Sequence, residues 1–294
     1  MKISEAYRLY QVNMHNEDCS EKTFRNYDSM MASFSRSVGD IPIELVSLDH
    51  IIIWKRYMQQ KGNKPSSINS DLGRFRKMLR YLEDAGLGVM SPSKIKFNKR
   101  KPEERTWLEP DEMQALIKHA PNDRDRAIIA LLVATGCRIS EILNLDRSDI
   151  ENATYADDGL YEIWVKGKGD RRNQEKHRVA YFPPSVMAYL ETYLEDRTDR
   201  FKPLFLSGQN SRITVSRVEQ IVHDVTNRAG LDKRVTPHTL RHSRISDLLN
   251  NGAPMQDVQN LAGHSSVSTT VNIYGHVNEK HKREVFTKYS TPVL

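Results

Sequence analysis

The sequence predicts a mainly α-helical protein with one small antiparallel β-sheet, built as an N-terminal helical bundle followed by a larger α+β unit. Three observations carry that expectation. Apolar residues recur at helical spacing through residues 1–90, the period changes to two only between Leu160 and Phe182, and helical spacing returns afterwards. A length of 294 residues leaves room for two domains at roughly 150 residues each, and each is large enough for its own core. No internal repeat or low-complexity segment interrupts the pattern.

The first helix is expected over Ser4 to Met14, with Ala6, Leu9, Tyr10 and Val12 as its apolar positions. Ser20-Glu21-Lys22-Thr23 reads as the next helix start, and Tyr27, Met30, Met31 and Phe34 follow on one face. Beyond the turn Gly39-Asp40-Ile41-Pro42, Leu48 to Gln60 forms a third amphipathic helix. Ser66 to Ala85 forms a fourth, with Ile68, Leu72, Phe75, Met78, Leu79 and Leu82 on one stripe. We divide the chain into a helical unit over 1–93, a basic linker over 94–106, and a second unit with a C-terminal tail over 107–294.

The second unit opens at Trp107-Leu108-Glu109-Pro110, where Pro110-Asp111-Glu112 sets acidic residues against a helix dipole. Asn122 to Ala134 reads as a buried helix. Tyr161, Ile163 and Val165 then alternate with Glu162, Trp164 and Lys166, and Val179 and Tyr181 supply the alternation of the opposite strand. A polar loop from Gly167 to Lys176 joins the two as a hairpin, and the remainder reads as helical to about residue 289.

Composition excludes several classes. The 38% hydrophobic and 28% charged content is that of a globular chain, not a disordered one. The longest apolar run, Ala127 to Ala134, has eight residues, against the ~20 a bilayer-spanning helix needs. The N-terminus has no apolar signal core, so a cytoplasmic location without membrane association is expected. Two cysteines, Cys19 and Cys137, make neither a disulfide framework nor a cysteine-based metal site.

The net charge of +6 is unevenly placed: residues 1–105 carry 19 Lys/Arg against 13 Asp/Glu, and the rest of the chain balances to zero. The excess gathers on the fourth helix, at Arg74, Arg76, Lys77 and Arg80, and in the linker, at Lys94, Lys96, Lys99, Arg100 and Lys101. One reading is a solvated charged face and linker; the other is a surface that contacts nucleic-acid phosphates.

Four segments of the second unit hold cations and a late tyrosine. In Ala134-Thr135-Gly136-Cys137-Arg138, a glycine turn puts Arg138 at the start of a helix, and Glu141 follows three residues later on the same face. Gly167-Lys168-Gly169 lies at the hairpin tip. In Thr236-Pro237-His238-Thr239-Leu240-Arg241, a cap and a proline set His238 and Arg241 on one face of a first helical turn. His264 in Leu261-Ala262-Gly263-His264 precedes Tyr274 by ten residues. Taken singly, these are a surface ion pair, a turn, a capping histidine and a packing tyrosine. Taken together, they meet the needs of metal-free displacement at a phosphodiester: fixed cations on the non-bridging oxygens, a nucleophile, and an acid for the leaving oxygen. No acidic cluster of the kind that binds Mg²⁺ is evident.

In this order and at these intervals the segments resemble the tyrosine recombinase (phage integrase) family, in its two-domain, Xer-like form; the resemblance spans about 107–280. The N-terminal unit is similar in pattern to that family's core-DNA-binding domain, a SAM-like helical bundle. The resemblance implies that Tyr274 attacks the scissile phosphate to give a 3′-phosphotyrosyl link, while Arg138 and Arg241 clamp the non-bridging oxygens. It further implies Lys168 as the acid for the 5′ oxygen, with Lys166 as the competing assignment. His238 would serve as acid/base, His264 as a hydrogen-bond donor to the phosphate, and Glu141 as the support of Arg138. Arg244, three residues after Arg241, either contacts DNA or snorkels.

No cofactor is implied, because the covalent ester conserves the energy of the broken bond and neither ATP nor metal enters. The implied partners are a double-stranded DNA recombination site and three further protomers, in a homotetramer or a heterotetramer with a related recombinase, nucleoid-associated in the cytoplasm. The expected role is integration or excision of a mobile element, or resolution of chromosome or plasmid dimers. The alternatives are a type IB topoisomerase-like or telomere-resolving strand transferase and, in another class, a non-catalytic DNA-binding regulator.

Overall fold

A computed structural model describes residues 1–99, 106–167 and 177–263. These form two compact units, one over 1–99 and the other over the remainder.

The first unit is a bundle of α1 (Ile3–Asn16), α2 (Glu21–Val38), α3 (Leu48–Gln60) and α4 (Pro65–Asp84). Ser20 starts α2 by accepting from the Thr23 amide, a cap worth about 1 kcal/mol. The expected stripes of α2 and α4 are buried at every named position. At their centre Trp54 packs edge-on to Phe34, whose ring stacks on Phe75 at 4.8 Å, and the Trp54 indole donates to Ser33 Oγ at 3.0 Å. In α1 the buried stripe is Ile3, Ala6, Tyr7, Tyr10 and Met14, so Leu9 and Val12 are exposed instead of buried. Helical spacing explains the correction, because positions 3, 7, 10 and 14 share one face and 9 and 12 fall on the far side of the helix.

The start of the basic segment belongs to this bundle. A 3₁₀ turn over Pro92–Lys94 leads to Ile95, which is buried in the helical core. Asn69, itself buried on α4, accepts from the Asn98 amide at 2.7 Å and donates to its carbonyl at 3.0 Å.

The second unit contains α5 (Pro110–Lys118), α6 (Asp123–Thr135), α7 (Ile139–Leu143) and α8 (Arg147–Glu151). Strands β1 (Thr154–Tyr155), β2 (Tyr161–Lys166) and β3 (His177–Phe182) follow, and then α9 (Pro184–Glu195), α10 (Val215–Arg228), α11 (Pro237–Asn250) and α12 (Met255–Ala262). Asn122 caps α6, which is apolar nearly all round and lies at the centre, with α5, α9, α11 and β3 packed against it. Between α9 and α10 the chain forms an irregular loop of turns and isolated bridges, where continuous helix was expected; Arg197 holds that loop through the carbonyls of Phe201, Pro203 and Leu204.

The strands form one antiparallel sheet in the order β1-β2-β3. The short β1 was not anticipated. Ile163 pairs with Ala180 and Val165 with Arg178, so the core side of β3 is Ala180 and Phe182, and Tyr181 faces outward. Val179 shares that outer face with Tyr181, as their alternation requires. Register decides the face, because a shift of one residue exchanges every side chain of a strand.

Candidate active site

Two helix ends and one strand build the site. Gly136 ends α6 in the left-handed conformation, at φ +59°, and turns the chain into Arg138, the cap of α7. Gly263 ends α12 in the same way, at φ +62°. α11 starts at the Thr236–Thr239 capping box and carries Arg241 one turn in.

Three guanidinium groups converge on the C-terminal end of α12. Arg178 donates to the Leu261 carbonyl, Arg241 to that of Ala262 and Arg138 to that of Gly263. These are the carbonyls a helix leaves without partners, at the negative end of its dipole, so cations gather there favourably. Arg241 also donates to the Gly136 carbonyl at 2.7 Å, which joins the two helix ends. For Arg138 and Arg241 alike, these described bonds, with the one from Arg138 to Glu141, engage two of five N–H groups.

Glu141 organises the cations. Its Oε1 accepts from Arg138 Nη1 at 2.8 Å, and its Oε2 accepts from the Arg138 amide at 2.7 Å and from Arg178 Nη2 at 2.7 Å. The side chain is 1% exposed, so this is a buried network and not a surface pair. Burial alone pushes its carboxyl up, but hydrogen bonding and charge from Arg178, and then from Arg138, overturn that and hold it below the usual range. The same carboxylate accepts from the Arg138 amide and so caps the start of α7.

Arg241, 4% exposed, has its pKa pulled down to about 10 by burial and by the charges of Arg138 and Arg178, partly offset by Glu141. It stays protonated at neutral pH and sits in a field that an anion would relieve. Cys137 lies 3.1 Å from Arg178 Nη2, and burial pushes its thiol up, so it is a neutral neighbour.

The structure therefore brings together Arg138, Glu141 and Arg241. His238 stands exposed one turn before Arg241 on α11. Lys166 ends β2 opposite His177. Lys168, His264, Tyr274, Arg100 and Lys101 lie outside the described residues. Arg244, read as contacting DNA or snorkelling, donates to the Ala134 carbonyl at the end of α6 at 3.1 Å and to Asp247 at 2.8 Å.

On α4, Lys77 and Arg80 lie opposite the buried stripe and are exposed, while Arg74 and Arg76 flank it on either side and are half-buried. Arg74 pairs with Asp71 and Lys77 with Glu17, while the Arg76 guanidinium covers the Phe97 ring at 5.7 Å. Such surface pairs are worth under about 1 kcal/mol and exchange readily for phosphate. Lys94, Lys96 and Lys99 are exposed. Among the described residues no group of three or more His, Cys, Asp or Glu side chains is placed to hold a metal ion, and no helix is long and apolar enough to cross a membrane.

Arg178 is the site residue that the sequence reading missed. Its signal is parity: it shares a strand face with Ala180 and Phe182, and a cation facing a core requires partners.

A profile described as the phage integrase family matches residues 106–281. The chain belongs to that family. A tyrosine recombinase XerC of Oceanobacillus iheyensis is 30% identical over 300 aligned residues, which cover 97% of this chain and 94% of the relative. The crystal structure of XerA recombinase superposes with a TM-score of 0.53 at 27% identity, covering 98% of this chain and 99% of the other. The Tn1549 transposon integrase, in complex with transposon right end DNA, gives a TM-score of 0.77 at 20% identity, covering 99% and 100%, which is a likeness of fold. This family member is a tyrosine-type site-specific DNA recombinase.

Proposed function

We propose that the chain cleaves and rejoins DNA at a specific site through a 3′-phosphotyrosyl intermediate, with Tyr274 as nucleophile. The observation that carries this reading is the convergence of Arg138 and Arg241 on adjacent carbonyls at the end of α12, immediately before His264 in the sequence. Two guanidinium forks held by buried partners offer fixed donors to the two non-bridging oxygens, and their positive charge is largest where the transition state is most negative.

The Tyr274 oxygen attacks phosphorus, the bond from phosphorus to the 5′ oxygen breaks, and Lys168 supplies the proton that makes it a hydroxyl. His238 handles the tyrosine proton and His264 bonds a phosphate oxygen. Attack by the 5′-hydroxyl of a partner strand reverses the step and regenerates Tyr274. The phosphotyrosyl ester retains the energy of the original bond, so no ATP is consumed.

The basic face of α4, with Lys94, Lys96 and Lys99, contacts backbone phosphates of the duplex without reading its sequence. The active assembly is a tetramer on two DNA sites, acting at the nucleoid in the cytoplasm; the size of the protein–DNA complex measures its stoichiometry. The chemistry is tested with a nicked suicide duplex. Wild-type protein is expected to accumulate a covalent adduct, and Tyr274→Phe to bind the same DNA and give none. An adduct that survives Tyr274→Phe overturns the assignment.

A further inference from the structure

We propose that Arg178 is a positioning residue for strand cleavage, holding the Glu141 carboxylate and the last carbonyls of α12 and through them orienting Arg138. The inference rests on the reading above that Arg138 clamps the scissile phosphate. Arg178 sits on the core side of β3 with its side chain 14% exposed. One guanidinium reaches three segments: Nη1 donates to the Leu261 carbonyl of α12, and Nη2 contacts Glu141 Oε2 of α7 at 2.7 Å and Cys137 Sγ of the preceding turn at 3.1 Å. The planar fork suits this task, since its donors diverge from one rigid plane and a lysine ammonium has a single centre.

The contact is close. A Cβ on Gly263 would lie 3.1 Å from both Cδ and Nε of Arg178, and 3.3 Å from Nη1 of Arg138. The two arginines thus flank the residue immediately before His264.

Charge balance argues against a merely structural ion pair. Arg138 alone neutralises Glu141. Arg178 and Arg241 add two further positive charges in the same buried cluster, with Cys137 neutral. A cluster of that sign is costly in an empty core. It becomes balanced when a phosphorane with two negative non-bridging oxygens forms beside it.

The experiment compares Arg178→Met, Arg178→Lys and Glu141→Gln in full-length protein on the suicide duplex, with single-turnover cleavage at saturating protein, DNA affinity and thermal midpoint measured for each. Arg178→Met is expected to slow cleavage by about 100-fold while DNA affinity stays within about threefold. Arg178→Lys is expected to restore about tenfold of that loss, because an ammonium keeps the charge and one of the contacts. In a Glu141→Gln background, Arg178→Met should cost under about threefold more, since both act through Arg138.

A pH profile separates positioning from folding. The groups facing Glu141 are Arg138, Arg178, Cys137 and Arg241. Without Arg178 the carboxyl titrates higher, so the acid-side loss of cleavage by the Arg178→Met protein should set in at a higher pH than that of wild type. Wild-type cleavage by folded Arg178→Met or Arg178→Lys overturns the proposal. So does a full multiplicative loss in the Glu141→Gln background. An adduct from a parallel Tyr274→Phe sample instead overturns the underlying reaction, and the two failures remain distinct.

Discussion

Replacing Gly263 with alanine tests whether the end of α12 sets the geometry of the arginines. Two costs arise. The backbone sits at φ +62°, where a side chain costs about 1–2 kcal/mol. The new methyl also lies 3.1 Å from Arg178 Nε and 3.3 Å from Arg138 Nη1, so those guanidiniums must shift by a few tenths of an ångström. A misplacement of about 1 Å costs roughly 100-fold in rate, so a shift of this size corresponds to about tenfold. Gly230 provides the control: its φ is +68° and nothing lies within 4 Å of its added Cβ. Both variants should lose similar thermal stability, read as the unfolding midpoint. Only Gly263→Ala should slow single-turnover cleavage of a suicide duplex, by about tenfold relative to Gly230→Ala. Equal cleavage by the two proteins would refute the link between this helix end and the chemistry.

Three further outcomes follow from other parts of the molecule. Arg244→Ala removes the bond to the Ala134 carbonyl and the Asp247 pair, so it should lower stability by about 1–2 kcal/mol in denaturant titration and leave DNA affinity within about twofold. Asn69→Ala leaves the Asn98 amide and carbonyl without their partner, at about 1 kcal/mol each, and hydrogen exchange at the Asn98 amide should accelerate while the α4 core amides keep their protection. Joint replacement of Lys94, Lys96 and Lys99 by alanine should flatten the dependence of log affinity on log salt by about 0.9 for each phosphate that these lysines neutralise; an unchanged slope would remove this segment from the DNA interface.

The helices of the first unit were legible because each has one dominant stripe. On α4 the residues Ile68, Leu72, Phe75, Met78, Leu79 and Leu82 are all buried, since no second face competes with them. α1 is less clear, because Leu9 and Val12 are apolar but exposed on the far side of the helix, and their residue types alone do not set them apart from the stripe. The buried face of β3 is ambiguous from sequence for a related reason. Val179, Ala180, Tyr181 and Phe182 are all apolar or aromatic, so either alternation satisfies the local pattern, and pairing with β2 breaks the tie. The same tie hides Arg178, whose face is set by its pairing with Val165.

Of the candidate site, the order Arg138, Glu141, His238, Arg241 was legible as a motif, because each residue sits at a helix start that sequence marks with a glycine or a cap. The partner of each cation was not. The excess charge of +6 was traced from sequence to residues 1–105, but the anchoring of its linker by Ile95 and Asn98 came only from packing.

By itself, then, the sequence determined where the helices run, which residue types are available for phosphate chemistry, and which family the chain resembles. These are local matters of period, cap and composition. Tertiary structure alone decided which strand face is buried, that three guanidiniums share one helix end, and that Glu141 binds two of them. Those contacts join residues 83 and 125 positions apart, and no local period encodes a hydrogen bond formed only when distant segments are buried together.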